Sequence, residues 1–129
     1  MKEKGFRRLN IWQESHEFAI MVYKATEKFP KEEKFGLTSQ IRRAAFSVPA
    51  NIVEGYAYGS NKKFLQFLDI ATGSLAETEY YLLLAKDLNF LEKREYGALE
   101  EKRAKVGAYL NKFKQAVRNQ GTHNTQYEI

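Results

Sequence analysis

Between Leu9 and Phe29 the apolar and small side chains fall into two interleaved rows at helical spacing. One row is Leu9, Trp12, His16, Ala19, Tyr23 and Thr26, and the other is Ile11, Ser15, Phe18, Val22, Ala25 and Phe29. Positions three and four apart share a helix face, so the rows form adjacent stripes while Gln13, Glu14, Glu17, Lys24, Glu27 and Lys28 take the remaining arc. The pattern predicts a helix whose apolar arc is wider than one bundle seam requires, with His16 on the core-facing side. Pro30 ends it, because the residue before a proline is pushed out of the α region.

A second helix is expected to begin near Lys31 to Lys34 and to run through Leu37, Ile41, Ala44, Val48 and Ile52 towards Tyr56. Pro49 lies inside it. A proline there removes a backbone donor and crowds the carbonyl of Ala45, which predicts a kink or a local break between Phe46 and Ala50. Gly55 and Gly59 offer stops, and Ser60 or Asn61 can cap the next helix. A third helix, from about Lys62 to Leu88, again carries two rows, built on Leu68, Ala71, Leu75 and Leu82 and on Phe67, Ile70, Ser74 and Tyr81. Asn89 suits a left-handed terminator, with Phe90 and Leu91 folding back over the end. The fourth helix runs from about Glu92 to Arg118, with its core on Leu99, Val106, Leu110, Phe113 and Val117. Short connections between long helices imply antiparallel neighbours, hence an all-α, up-down-up-down four-helix bundle over residues 1–118 with its second helix kinked at Pro49. Residues 119–129 lack an apolar repeat and are expected to form a disordered polar tail.

The length of 129 residues suits one domain, large enough for a hydrophobic core to hold without staples. There is no cysteine, which excludes a disulfide framework and a thiolate metal site and suits a reducing, cytoplasmic setting. No apolar run approaches the ~20 residues needed to span a bilayer. Enzyme signatures are mostly absent: there is no G-x-x-x-x-G-K-[ST] phosphate loop, no G-x-G-x-x-G turn, and neither His16 nor His123 follows a Glu at the spacing of a di-iron bundle. The expectation is a protein that is not an enzyme and carries no metal or cofactor. Glu77 continues an apolar row of helix three and Glu54 lies near the end of helix two, so both are expected as structural polar groups, partnered by an arginine or by Asn51.

Charge adds a direction. Lys and Arg number 21 against 16 Asp and Glu, a formal +5, which favours polyanionic partners. The second half of helix four carries Lys102, Arg103, Lys105, Lys112, Lys114 and Arg118 with no acid among them. Bases near a helix end complement its dipole, but that effect dies away within the last turn and does not account for Lys102 to Lys105. Further bases come as the pairs Arg7-Arg8, Arg42-Arg43 and Lys62-Lys63. One member of Arg42-Arg43 can reach a neighbouring helix or subunit while the other faces solvent. Tyr56 and Tyr58 stand near Lys62 and Lys63, where aromatics either pack the junction or stack on bases. No named recognition module is present, so the composition supports a sequence-independent grip on phosphates.

Several stretches at matching separation carry a resemblance: Leu9-Asn10-Ile11-Trp12-Gln13, Phe29-Pro30 with Phe35-Gly36-Leu37, the run from Gln40 through Pro49 to Gly55, and Phe67-Leu68-Asp69-Ile70-Ala71 leading to Gly73-Ser74-Leu75. Over roughly residues 6–118 the chain resembles the small bacterial four-helix-bundle proteins encoded by intervening sequences in 23S ribosomal RNA genes, the ribosomal S23-like proteins. That family is in turn similar to the accessory variability determinant proteins of diversity-generating retroelements. The resemblance implies a ring-shaped homopentamer, which would account for the double apolar rows, and nucleic acid and a reverse transcriptase as partners. The leading expectation is an oligomeric scaffold that binds RNA or DNA through Arg42, Arg43, Lys62, Lys63, Lys102, Arg103, Lys105, Lys112, Lys114 and Arg118. The alternative is a protein-interaction adaptor that docks a partner on its apolar stripe. A lesser one is a ligand-binding bundle or enzyme using Glu54, Glu77 and Arg42.

Overall fold

The computed structural model describes residues 4–120 and is all-helical there. After a 3-10 helix at Gly5–Arg8, four long helices follow: α1 (Asn10–Thr26), α2 (Leu37–Tyr58), α3 (Asn61–Asp87) and α4 (Lys93–Gln120). Each packs against its chain neighbours, and α4 closes the circuit on α1, so the chain is an up-down-up-down four-helix bundle. Its core is one cluster drawn from all four helices, with Phe18, Ile41, Ile52, Leu68, Leu82, Leu110 and Phe113 among the side chains essentially removed from water. Among the described residues no helix is long and apolar enough to cross a membrane.

The helix ends show why the elements stop where they do. A 3-10 helix at Lys31–Glu33 follows Pro30, and α2 starts only at Leu37, later than the Lys31 to Lys34 expected. Its first turn is capped by the Glu33 carboxylate, which accepts the Leu37 N–H at 2.9 Å. Gly59, at φ 77°, ends α2, and the Ser60 hydroxyl accepts the Lys63 N–H at 3.2 Å to start α3. Gly55 is no stop; it is buried inside α2, where the α3 side chains of Phe64 and Phe67 press against it. Asn89 is left-handed at φ 65°, and the Asn89 and Phe90 amides return to the Lys86 and Ala85 carbonyls at 3.0 and 2.9 Å, a complete Schellman closure.

Two expectations need correction here. Helix α2 runs without interruption from Leu37 to Tyr58 through Pro49, so the local break does not occur and the kink finds no confirmation. Pro49 is buried and its flanking turns are intact, with Asn51 Nδ2 adding a 2.7 Å bond to the Ser47 carbonyl. Packing on both sides holds the helix across the missing donor. Helix α4 continues through Asn119 to Gln120, beyond the Arg118 boundary expected, and the remainder of the expected tail, His123 included, lies outside the described residues.

Candidate nucleic-acid interface

The ten bases singled out by sequence divide into those already engaged within the bundle and those left to solvent. Arg42 is engaged. Its Nε donates to Thr26 Oγ1 at 2.8 Å and its Nη2 to the Tyr23 carbonyl at 3.1 Å, with the guanidinium 4.5 Å from the Tyr23 ring centroid. It closes the C-terminal end of α1, where carbonyls lack helical donors. Arg43 faces outward beside a hollow of about 300 Å³ lined also by Gln40, Ser47, Asn51, Ser74 and Glu77. One member of the pair reaches the neighbouring helix and the other faces solvent, as the spacing implied.

On α4 the basic run is largely matched by acids from neighbouring helices. Lys102 Nζ lies 2.7 Å from Glu14 and 2.9 Å from Glu17 of α1, and Lys105 reaches Glu14 at 3.4 Å. Arg103 grips Glu100 through Nε at 2.9 Å and Nη2 at 2.5 Å and lies 3.4 Å from Glu79 of α3. Lys114 pairs with Asp69 at 3.2 Å and donates to Thr72 Oγ1 at 3.0 Å. The hydrogen bond from Lys102 holds the Glu14 carboxyl below its ordinary pKa, against burial, which acts the other way. Burial opposes the charge on Lys102, but its hydrogen bonds to the Glu14 and Glu17 carboxylates outweigh it and raise the ammonium's pKa. The bond to Glu100 likewise raises Arg103, ahead of its opposing desolvation. These side chains clip α4 to α1 and α3, and a phosphate would compete with carboxylates already in place.

Lys62, Lys63, Lys112 and Arg118 are exposed and have no ion pair among the described residues. The antiparallel order puts the start of α1, the end of α2, the start of α3 and the end of α4 at one end of the bundle. The contacts agree: the 3-10 helix at Gly5–Arg8 packs on α1 and α2, and Asn61 Nδ2 donates to the Val117 carbonyl at 3.4 Å. That end therefore gathers Arg7, Arg8, Lys62, Lys63 and Arg118, the 3-10 helix and two helix ends contributing to a single basic surface. Among the described acids towards that end of α2 and α3, Glu54 is exposed and Asp69 is held by Lys114. At the opposite end Glu27, Glu32, Glu33, Asp87, Glu92 and Glu95 stand among the lysines, two of them tied in the pairs Lys28–Glu95 and Lys86–Asp87. The hollow of about 730 Å³ at that end mixes both signs.

The expected structural polar groups fare unevenly. Asn51 bonds within α2 as described, but Glu54 and Glu77 are exposed, so neither is a buried polar link. His16 is also exposed, stacked on Trp12 at 4.8 Å with the rings 10° apart, and does not face the core.

The sequence of this bundle matches the model of 23S rRNA-intervening sequence proteins over residues 7–112. The chain belongs to that family. The crystal structure of a protein with unknown function from the S23 ribosomal protein family, from Bacteroides thetaiotaomicron VPI-5482, superposes on it with a TM-score of 0.73. That structure is 26% identical in sequence, and the match covers 81% of this chain and 98% of the other. A comparison with curated proteins finds no match. The matched span includes Arg42, Arg43, Lys62, Lys63, Lys102, Arg103, Lys105 and Lys112 and stops short of Lys114 and Arg118.

Proposed function

We propose that this intervening-sequence family member is a non-enzymatic, phosphate-directed nucleic-acid-binding module that works as an assembly of several copies. The observation that carries the reading is the convergence of Arg7, Arg8, Lys62, Lys63 and Arg118 on one end of the bundle, none of them in an ion pair among the described residues. Bases left without carboxylate partners retain their full attraction for phosphate, whereas those of the Lys102 cluster are discounted by their own pairs. Of the ten candidate residues, Lys62, Lys63 and Arg118 therefore form the contact surface, with Lys112 about two turns back along α4 and Arg43 about 22 Å away near the start of α2.

Uncovered apolar side chains support assembly. The Arg42 contacts with Tyr23 and Thr26 set the register of α1 against α2, and in that register Ile20 and Tyr23 stand beside Phe46, all three exposed. A second set, Ile70, Tyr80 and Leu83, is exposed on α3, with Leu88 just past its end. Two different patches on one chain suit a head-to-tail contact between copies, the kind that closes into rings such as the homopentamer implied by the resemblance. The test is titration of RNA and DNA at several salt concentrations. A log–log slope of about −0.7 per contact on a single strand is expected, flattened by Lys62→Glu with Lys63→Glu. Salt-independent binding, or full binding by that double variant, would overturn the reading.

The same strip of Ile20, Tyr23 and Phe46 favours a second reading, an adaptor that docks a protein partner such as the reverse transcriptase implied by the resemblance. Recovery of one protein partner after nuclease treatment, with no binding of purified nucleic acid, would select it.

A further inference from the structure

The last residue of α2 gives the basic end a feature that phosphate attraction does not require. Tyr58 is 54% exposed, and its ring is stacked on Phe67 of α3, with centroids 5.3 Å apart and planes 13° apart. Phe67 is half-buried against the α2 backbone at Gly55, so Tyr58 rests on a support fixed to the body of the bundle. Gly59 follows at φ 77° and turns the chain sharply away, which leaves the ring standing at the corner. The ammonium of Lys63 lies 5.1 Å from the Tyr58 centroid. Lys62 is exposed beside it, and the contact of Asn61 with Val117 brings Arg118 to the same corner.

We infer that this corner binds an unpaired nucleic-acid strand, with one base stacked on Tyr58 and the adjoining phosphates held by Lys62, Lys63 and Arg118. The inference rests on the nucleic-acid reading above and narrows its ligand. An aromatic face backed by a second ring is a preformed platform, and every nucleobase has a π-face to lay on it. A base inside a duplex is covered on both faces by its neighbours and held by its pair, so the platform takes bases of unpaired strands. Lys63 moves from the tyrosine ring to the phosphate next to the stacked base, exchanging a cation–π contact for a charge-assisted hydrogen bond. The recognised groups, base faces and phosphates, are common to RNA and DNA, so strands of either kind bind alike.

The full-length chain would be titrated with a labelled oligouridylate, a labelled oligothymidylate and a duplex of the same length, at one low salt concentration. Tyr58→Leu keeps an apolar side chain against Phe67 and removes the platform. It should weaken both single strands about tenfold while leaving the duplex unchanged, and Tyr58→Phe should restore single-strand binding. Thermal unfolding of both variants checks that the α2–α3 corner is intact. Equal losses for strand and duplex, or no loss with Tyr58→Leu, would overturn the inference while leaving the phosphate-directed reading standing. Failure of the unaltered chain to bind any of the three probes would remove both.

Discussion

At the scale of single residues, contacts fixed by the bundle decide the sign of several substitutions. In an exposed helix Gly→Ala stabilises by about 1 kcal/mol. At Gly55 an added Cβ would lie 2.8 Å from Phe67 Cβ and 2.9 Å from Phe64 Cδ1, and a neighbouring Cβ cannot move without its helix. Gly55→Ala should therefore destabilise by about 1–3 kcal/mol, read as a lower urea midpoint. Glu14 gives a pH-dependent case. Lys102 holds its folded-state pKa below the ordinary 4.5, so its ionisation favours the folded state above that value and the benefit is lost as pH falls through the depressed folded-state pKa. Glu14→Gln should flatten the fall in stability below about pH 4.5 and leave its shape near neutrality unchanged, measured by urea unfolding across pH. Residue roles were the part least legible in the sequence. His16 and Glu77 belong to rows that lie at the rim of the buried arc: in the row of His16, Ala19 and Thr26 lean inward while His16 and Tyr23 lean out. Spacing finds the row, but only the neighbouring helix decides which side of the rim each side chain takes.

At the scale of elements, the helices themselves were readable because period, caps and breakers agree. Gly59, Ser60 and Asn89 act where their backbone chemistry says they should, α1 stops at Thr26, ahead of the boundary expected at Pro30, and all five core residues expected on α4 are buried. Pro49 and Gly55 were misjudged by the same local logic. Each is costly in an isolated helix, and each is tolerated here because α2 is pressed between α1 and α3. The basic run of α4 has partners that its own helix does not reveal. Glu14 and Glu17 lie on the polar arc of α1, and they meet Lys102 only because a closed bundle brings the first and last helices together. That adjacency follows from the predicted topology, so the pairing was within reach of the sequence. Its consequence separates two sets of bases. Lys102→Glu would set a third carboxylate beside Glu14 and Glu17 and should lower stability by at least about 1 kcal/mol in thermal unfolding. Its loss of nucleic-acid affinity per folded molecule should be smaller than that of Lys62→Glu, whose side chain supports no ion pair among the described residues.

At the scale of the whole molecule, the chain is polarised in two directions. Charge is arranged along the bundle axis, with unpaired bases at one end and mixed signs at the other, and exposed apolar groups are arranged around it, on α1 with α2 and on α3. If copies meet side by side through the apolar patches, their axes run alongside one another and the basic ends collect on one rim. Each rim then presents several Tyr58 corners to one strand, and linked contacts raise apparent affinity well beyond that of one corner. The proposed assembly and the proposed binding are thus coupled, and the coupling is testable through Phe46. Its side chain is 45% exposed on the α1–α2 strip, away from Lys62, Lys63 and Tyr58, so Phe46→Asp leaves the basic corner untouched. The variant should remain helical by circular dichroism and shift to a smaller species in light scattering. It should also bind a strand long enough to span several copies more weakly than the parent does, while a strand that fills only one corner is bound equally by both. A variant of unchanged mass would remove the α1–α2 strip from the assembly. A smaller species that holds long strands as tightly as before would show that each chain binds alone.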